Sequence, residues 1–126
     1  MTHPRSRSRL ASFRYAVAGL AHVLRTQRNA WIHAVASLFV VVLAFWLQLG
    51  LTQWAALVLA MAMVWMAEFV NSALEAIVDL ASPDVHPLAK VGKDVGAAAV
   101  LIAAVSAALV GLLILGPPLG KRLWGG

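Results

Sequence analysis

The sequence predicts an all-helical membrane protein, built from an N-terminal amphipathic surface helix followed by three transmembrane helices. Of its 126 residues, 62% are hydrophobic and only 12% are charged, unlike an ordinary soluble domain. Three apolar runs each approach the ~20 residues that a helix needs to cross the hydrocarbon core of a bilayer. The net charge of +5 favours anionic headgroups or phosphates as partners, and with so little polar surface we expect no nucleic acid partner.

The first predicted element is a surface helix over residues 6–27. The first 28 residues contain six arginines and no acidic residue. Apolar side chains recur there at spacings of three and four, namely Phe13, Val17, Leu20 and Leu24. This pattern is typical of a helix that lies in the headgroup plane, with its apolar stripe facing the acyl chains and its basic flank on anionic lipid.

Two transmembrane helices follow, over residues 29–48 and 53–80. The link at 48–53 is short and uncharged, and it therefore predicts a helical hairpin. The second apolar run is followed by polar residues without any helix breaker, so we expect this helix to extend past its apolar part to about Leu80. Residues 82–87 contain two prolines and break the helix.

The third transmembrane helix is predicted over residues 88–115, ending at Gly116, Pro117 and Pro118. Small residues recur along it at spacings of four, with one step of three, which favours close packing against another helix; they are Gly92, Gly96, Ala99, Ala103, Ala107 and Gly111. We expect residues 1–126 to form one membrane-integral domain. Eight of the ten basic residues lie on the side of the membrane that the N-terminal segment shares with the loop between the second and third spans, so this side is predicted to face the cytoplasm.

All five acidic residues lie between positions 68 and 94, on the predicted cytoplasmic side. At 100° per residue, Glu68, Asn71, Glu75 and Asp79 fall within an arc of about 80° on one helix face. Glu68 lies deepest in the membrane, directly after the apolar run, where an unpaired charge is costly unless it faces protein, water or a metal. A glutamate in this position suits a general base. Glu75 lies two turns further out and suits a hard cation such as Mg²⁺, which binds through one or two carboxylates and substrate phosphates.

These residues alone leave three classes of function open. Intramembrane carboxylates serve enzymes, proton relays in transporters or channel subunits, and structural pairs with lysines. No phosphate-binding loop and no dinucleotide fingerprint occurs in the sequence. His33, at the start of the first span, is either a polar group at the entrance of a site or an imidazole at the membrane interface.

Two longer motifs resemble the signature of the small bacterial membrane-integral diacylglycerol kinase family. The first is E-x-x-N-[ST]-A-[IL]-E-x-x-V-D, which starts at Glu68, and the second is K-D-x-x-[AS]-A-A-V-L, which starts at Lys93. The resemblance covers nearly the whole chain. It implies transfer of the γ-phosphate of ATP to a lipid hydroxyl with Mg²⁺, in a homotrimer at the bacterial inner membrane whose sites lie at the cytoplasmic surface.

The resemblance also implies roles for individual residues. Glu68 matches the catalytic base, Asn71 a polar residue that orients the base or the phosphate, and Glu75 a metal ligand. His33 stands where the diacylglycerol enzymes carry a metal-binding glutamate, and it is therefore the second candidate metal ligand. The implied nucleotide-binding residues are Tyr15, Asp79, Asp84, His86, Lys90, Lys93 and Asp94.

Within the family, three short segments are more similar to the undecaprenol kinase branch. They are Arg28-Asn29, Ile32-His33 and the five residues from His86 to Lys90. Undecaprenol is therefore the expected acceptor, with diacylglycerol as the alternative. A proton-relay or regulatory subunit without enzymatic activity is the third hypothesis.

Overall fold

The computed structural model describes residues 8–125, and within them it contains four helices and no strand. The helices are α1 (Arg9–Thr26), α2 (Arg28–Trp46), α3 (Leu51–Ala81) and α4 (Pro87–Trp124). The last three are long and apolar enough to cross a membrane. The all-helical architecture predicted from the apolar runs is confirmed.

Helix α1 begins where Ser8 caps it, because the Ser8 hydroxyl accepts a hydrogen bond from the Ala11 amide at 3.2 Å. The predicted start at residue 6 lies outside the described residues. Apolar side chains of α1 are exposed on the isolated chain, Phe13 among them, and so they are available to lipid. The helix stops at Gln27, whose extended backbone separates α1 from α2 and redirects the chain into the first span.

Helices α2 and α3 form the predicted hairpin. The chain turns at Gln48, which has a positive φ of 55°, and α3 starts after Gly50. The Gly50 amide donates to the Gln53 side chain at 3.0 Å, which satisfies one of the free N–H groups at the start of the helix. Beside this turn, Ala44, Leu47, Leu57 and Leu115 form a buried apolar cluster that joins α2, α3 and α4.

Helix α4 corrects the predicted end of the third span. It continues through Gly116, Pro117 and Pro118 to Trp124. Each proline removes one backbone donor, but Gly116 has no Cβ to clash with the ring of Pro117. Packing holds this end of the helix, because Leu119 contacts the apolar cluster. The Arg122 guanidinium also lies 4.9 Å from the ring centroid of Trp46.

Part of the predicted repeat of small residues lies against α3, but Ala99 is exposed and a Cβ at Gly111 would have no neighbouring atom within 4 Å. Gly96 and Ala103 are buried, as is Val100 between them. Gly92 faces Val78 of α3, and Gly96 faces Asn71. At the end of the loop that joins α3 to α4, His86 caps α4, since its Nδ1 accepts a hydrogen bond from the Leu88 amide at 3.2 Å. The predicted carboxylate face of α3 is thereby held against α2 and α4.

Candidate active site

Among residues 8–125, the least exposed polar side chain is that of Glu68 on α3. The residue is 1% exposed, although it carries an ionisable group at the end of an apolar run. Its neighbour across the helix interface is His33 of α2, whose Nε2 lies 3.6 Å from Glu68 Oε2. This separation exceeds hydrogen-bond distance. Within residues 8–125, neither atom has a hydrogen-bond partner, and both are buried.

The imidazole of His33 is held in place by an aromatic neighbour. The Trp65 ring meets it edge to face, with ring centroids 6.4 Å apart. Trp65 is itself anchored, because its Nε1 donates to the Ser37 hydroxyl at 3.2 Å. His33 is thus a largely buried side chain that faces Glu68.

Glu75 lies two turns from Glu68 along α3, about 10 Å away by helix rise. Its two carboxylate oxygens accept hydrogen bonds from neutral amides: Asn71 Nδ2 donates to Oε1 at 3.0 Å, and Gln27 Nε2 donates to Oε2 at 3.4 Å. Gln27 comes from the junction between α1 and α2. The outer glutamate therefore sits where the surface helix, the first span and α3 meet.

Asn71 occupies the position between the two glutamates. It is 8% exposed. A Cβ at Gly96 of α4 would overlap its Oδ1, so the glycine is what permits this approach of the two helices. The Asn71 Nδ2 bonds to Glu75, while its Oδ1 faces Gly96 and has no hydrogen-bond partner within residues 8–125. We expect it to orient Glu75.

Six of the seven predicted nucleotide-binding residues line one open cleft between the end of α3 and the start of α4. The cleft has a volume of ≈ 300 Å³ and is lined by Asp79, Asp84, His86, Lys90, Lys93 and Asp94, together with apolar and loop residues. Lys93 forms an ion pair with Asp79, and Lys90 forms one with Asp94. These pairs are exposed, so their lysines can exchange a carboxylate for a phosphate at low cost. The seventh residue, Tyr15, lies elsewhere, on the exposed surface of α1.

The metal-binding residues implied by the resemblance are not grouped in this chain. In the part of the chain that the structure describes, no three His, Asp or Glu side chains are placed to hold one ion. His33 faces Glu68, whereas Glu75 faces two amides. Glu75 alone still fits Mg²⁺, because each carboxylate oxygen keeps a free lone pair and this ion takes its remaining ligands from phosphates and water.

Two contacts of the site were missing from the sequence prediction. Gln27 bonds to Glu75, and Trp65 positions His33. Gln27 is a polar residue at the boundary between the basic helix and the first apolar run, and this position is the sequence feature from which a role in the site could have been predicted. The contact of Trp65 with His33 depends on how α2 and α3 cross, and the spacing of residues along one helix does not predict this crossing.

Residues 14–115 match the prokaryotic diacylglycerol kinase family. A diacylglycerol kinase of Synechocystis sp. is 44% identical over 111 residues, covering 87% of this chain and 63% of that protein. An undecaprenol kinase of Bacillus subtilis is 38% identical over 108 residues, covering 86% of this chain and 88% of that protein. A diacylglycerol kinase of Escherichia coli K12 is 37% identical over 95 residues, covering 70% and 78% of the two chains.

The match begins within α1, covers α2 and α3 and ends within α4, and so it includes every residue of the candidate site. The chain spans less than two thirds of the length of the Synechocystis relative but most of the Bacillus subtilis protein. The resemblance carried by the two motifs is confirmed, and this chain belongs to the prokaryotic diacylglycerol kinase family.

Proposed function

We propose that this protein is an ATP-dependent lipid kinase that transfers the γ-phosphate of ATP to a membrane lipid alcohol. The observation that carries the proposal is the buried Glu68 carboxylate, whose Oε2 has no hydrogen-bond partner within residues 8–125. It lies on the same helix face as Glu75 and Asp79, which lead outward to the charged cleft. An acceptor from the bilayer and a phosphate donor from the aqueous side can thus approach one site from opposite directions.

In this mechanism, Glu68 accepts the proton of the lipid hydroxyl as the oxygen attacks the γ-phosphorus. The new P–O bond forms while the bond to the β-phosphate oxygen breaks, and ADP leaves. Asn71 holds the Glu75 carboxylate in a fixed orientation. Glu75 would hold Mg²⁺ together with the phosphates, and the ion would supply charge neutralisation for the transferring group.

The cleft between α3 and α4 is the proposed nucleotide site. Lys93 and Lys90 exchange their carboxylate partners for phosphate oxygens, and positioning supplies most of the rate. Asp79, Asp84, His86 and Asp94 contact the nucleotide from the same cleft. Tyr15, on α1, contributes from the surface helix.

Undecaprenol is the proposed acceptor, and diacylglycerol is the alternative. The branch-specific segments around Arg28, His33 and His86 support undecaprenol. So does the extent of the match to the Bacillus subtilis undecaprenol kinase, which covers 88% of that protein. The higher identity to the Synechocystis diacylglycerol kinase supports the alternative.

We further propose that the protein works as a homotrimer in the bacterial inner membrane, with its N-terminus and its site on the cytoplasmic side. The excess of basic residues around α1 and at the start of α4 supports this orientation. Three spans are too few to enclose a site on their own. The apolar surface that α2, α3 and α4 leave exposed on the single chain is available to lipid and to neighbouring subunits.

The test is transfer of labelled γ-phosphate from Mg-ATP to undecaprenol and to diacylglycerol, assayed in parallel with purified protein in mixed micelles. We expect label in undecaprenol, and none after chelation of the divalent cation. Preferential labelling of diacylglycerol would select the alternative acceptor. Label in neither lipid, with a folded protein, would reject the kinase and favour a proton relay, which needs no nucleotide.

A further inference from the structure

We propose that the C-terminal end of α4 binds the headgroup of an anionic phospholipid in the leaflet opposite the candidate active site. The binding surface consists of Trp46, Lys121, Arg122 and Trp124, and we name it the C-terminal basic cluster. Three of its four residues lie at the end of α4 that is remote from the charged cleft. Lipid binding at this surface does not require the kinase reaction proposed above.

The length of α4 places the C-terminal basic cluster at the level of the lipid headgroups. Between Asp94 and Lys121 the helix contains no charged residue. At a rise of about 1.5 Å per residue, these two positions are about 40 Å apart along the helix axis. A bilayer with both of its headgroup regions is about 40–45 Å thick. When Lys93 and Asp94 lie at one membrane surface, Lys121 and Arg122 therefore reach the other.

Packing holds this end of α4 beside the helical hairpin. Leu119 contacts the buried apolar cluster, and Arg122 lies two turns after the buried Leu115, on the same helix face. The Arg122 guanidinium lies over the Trp46 ring, 4.9 Å from its centroid. Residues 116–124 lie beyond the segment that matches the prokaryotic diacylglycerol kinase family. The cluster is therefore an ordered surface that the family match does not account for.

The positive charge of the cluster is not balanced by an acidic side chain. All five acidic residues of the chain lie between positions 68 and 94, toward the opposite membrane surface. Within residues 8–125, Lys121 and Arg122 form no ion pair, whereas Lys90 and Lys93 each pair with an aspartate. Both cations of the cluster are exposed. Two unpaired cations at headgroup depth are complementary to an anionic phosphate group.

The two tryptophans of the cluster favour a phospholipid over a free phosphate ion. Trp124 is 81% exposed and Trp46 is 46% exposed. At a membrane interface, a tryptophan ring packs among the upper acyl chains while its N–H reaches the polar layer. A lipid whose phosphate contacts Lys121 and Arg122 can therefore lay its chains along these rings. Arg122 keeps its N–H donors for the phosphate, because it contacts Trp46 through the π face of the ring.

The test uses a fluorophore placed within the cluster. The chain contains no cysteine, so Leu123→Cys, at an exposed position, provides a single thiol for labelling. In proteoliposomes of phosphatidylglycerol and phosphatidylcholine, one lipid at a time carries a nitroxide near its headgroup, and quenching measures how much of that lipid lies beside the label. We expect phosphatidylglycerol to be enriched about 5-fold over phosphatidylcholine. Lys121→Gln combined with Arg122→Gln should remove the enrichment, whereas Lys121→Arg, which keeps the charge, should retain it.

Lys121→Gln alone keeps the contact of Arg122 with Trp46, and it should lower the enrichment about 2-fold in a protein of parental helicity and elution volume. Equal quenching by the two lipids in the parent, or undiminished enrichment in the double variant, would overturn the proposal. So would loss of the enrichment on adding inorganic phosphate at constant ionic strength, because the cluster would then bind the free ion. Enrichment in a protein that phosphorylates no lipid would support the binding surface and reject only the proposed function.

Discussion

The side-chain amide of Gln27 donates a hydrogen bond to Glu75 Oε2 at 3.4 Å. The bond joins the junction of α1 and α2 to the outer carboxylate of α3. The amide of Gln27 is neutral, so this contact contains one negative charge, that of Glu75. We therefore expect the Mg²⁺ affinity proposed for Glu75 to depend on the residue at position 27.

Replacing Gln27 with glutamate should lower the Mg²⁺ concentration that gives half-maximal activity. A second carboxylate beside Glu75 raises the charge on a hard-cation site, and we expect a decrease of about 3- to 10-fold. A magnesium titration of the kinase assay measures it. Gln27→Met is the control without a charge or a donor, and it should not lower the requirement. A Gln27→Glu midpoint at or above the parental value would contradict the metal role of Glu75.

Replacing Glu75 with glutamine should have the opposite effect. The substitution keeps the shape of the side chain but removes the charge that attracts the cation. We expect the Mg²⁺ requirement to rise about 10-fold or more, with loss of activity at low Mg²⁺. The same titration provides the test. An unchanged metal dependence in a folded Glu75→Gln protein would show that the ion binds elsewhere.

Replacing Glu68 with glutamine should abolish most of the activity without unfolding the protein. Glutamine has nearly the same volume and cannot accept the proton, and general-base catalysis typically contributes about 10²- to 10⁴-fold. Single-turnover phosphorylation of the lipid, with Mg-ATP saturating, measures this loss at the chemical step. Thermal unfolding of the same variant checks the fold. We expect no loss of stability, because a neutral side chain is cheaper to bury than a carboxylate. Parental rates in Glu68→Gln would remove the base from the mechanism.

Lys93 and Lys121 provide a matched pair for the nucleotide cleft. Lys93 lines the cleft and pairs with Asp79, whereas Lys121 lies near the other end of the same helix. We expect Lys93→Ala to raise the KM for ATP about 10-fold or more through the lost phosphate contact, while Lys121→Ala leaves it unchanged. Both ends of the Lys93 ion pair are exposed, so the melting temperature should change little. Equal nucleotide kinetics in the two variants would place the phosphates elsewhere.

The fold was predictable because length and hydropathy alone determine which segments can cross a bilayer. The end of α4 was not, because the sequence rule for prolines ignores the contacts of Leu119 and Arg122 with the hairpin. A proline lowers the stability of a helix by a limited amount, and tertiary packing can exceed it. The residue at which a helix ends is therefore hard to predict from sequence when that end packs against an apolar cluster.

The candidate site was predictable along α3 and much less so between helices. Helical periodicity places Glu68, Asn71 and Glu75 on one face, and the structure keeps them there. The partners of the two glutamates, His33 and Gln27, depend on how α2 crosses α3 and on where α1 ends and α2 begins. Periodicity within one helix contains no information on either, so the contacts of Gln27 and His33 required the structure.

The last prediction concerns the contact that holds α4 against the site. A Cβ at Gly96 would overlap Asn71 Oδ1, whereas a Cβ at Gly111 of the same helix has no neighbouring atom within 4 Å. We expect Gly96→Ala to destabilise the protein by about 1–3 kcal/mol, and to reduce activity because Asn71 must move away from Glu75. Gly111→Ala should be neutral or stabilise by up to about 1 kcal/mol, since alanine is the better helix former. Thermal unfolding in detergent, with the kinase assay on the same samples, measures both effects. If the two alanine variants behave alike, the close approach of α4 at Gly96 is not what positions Asn71.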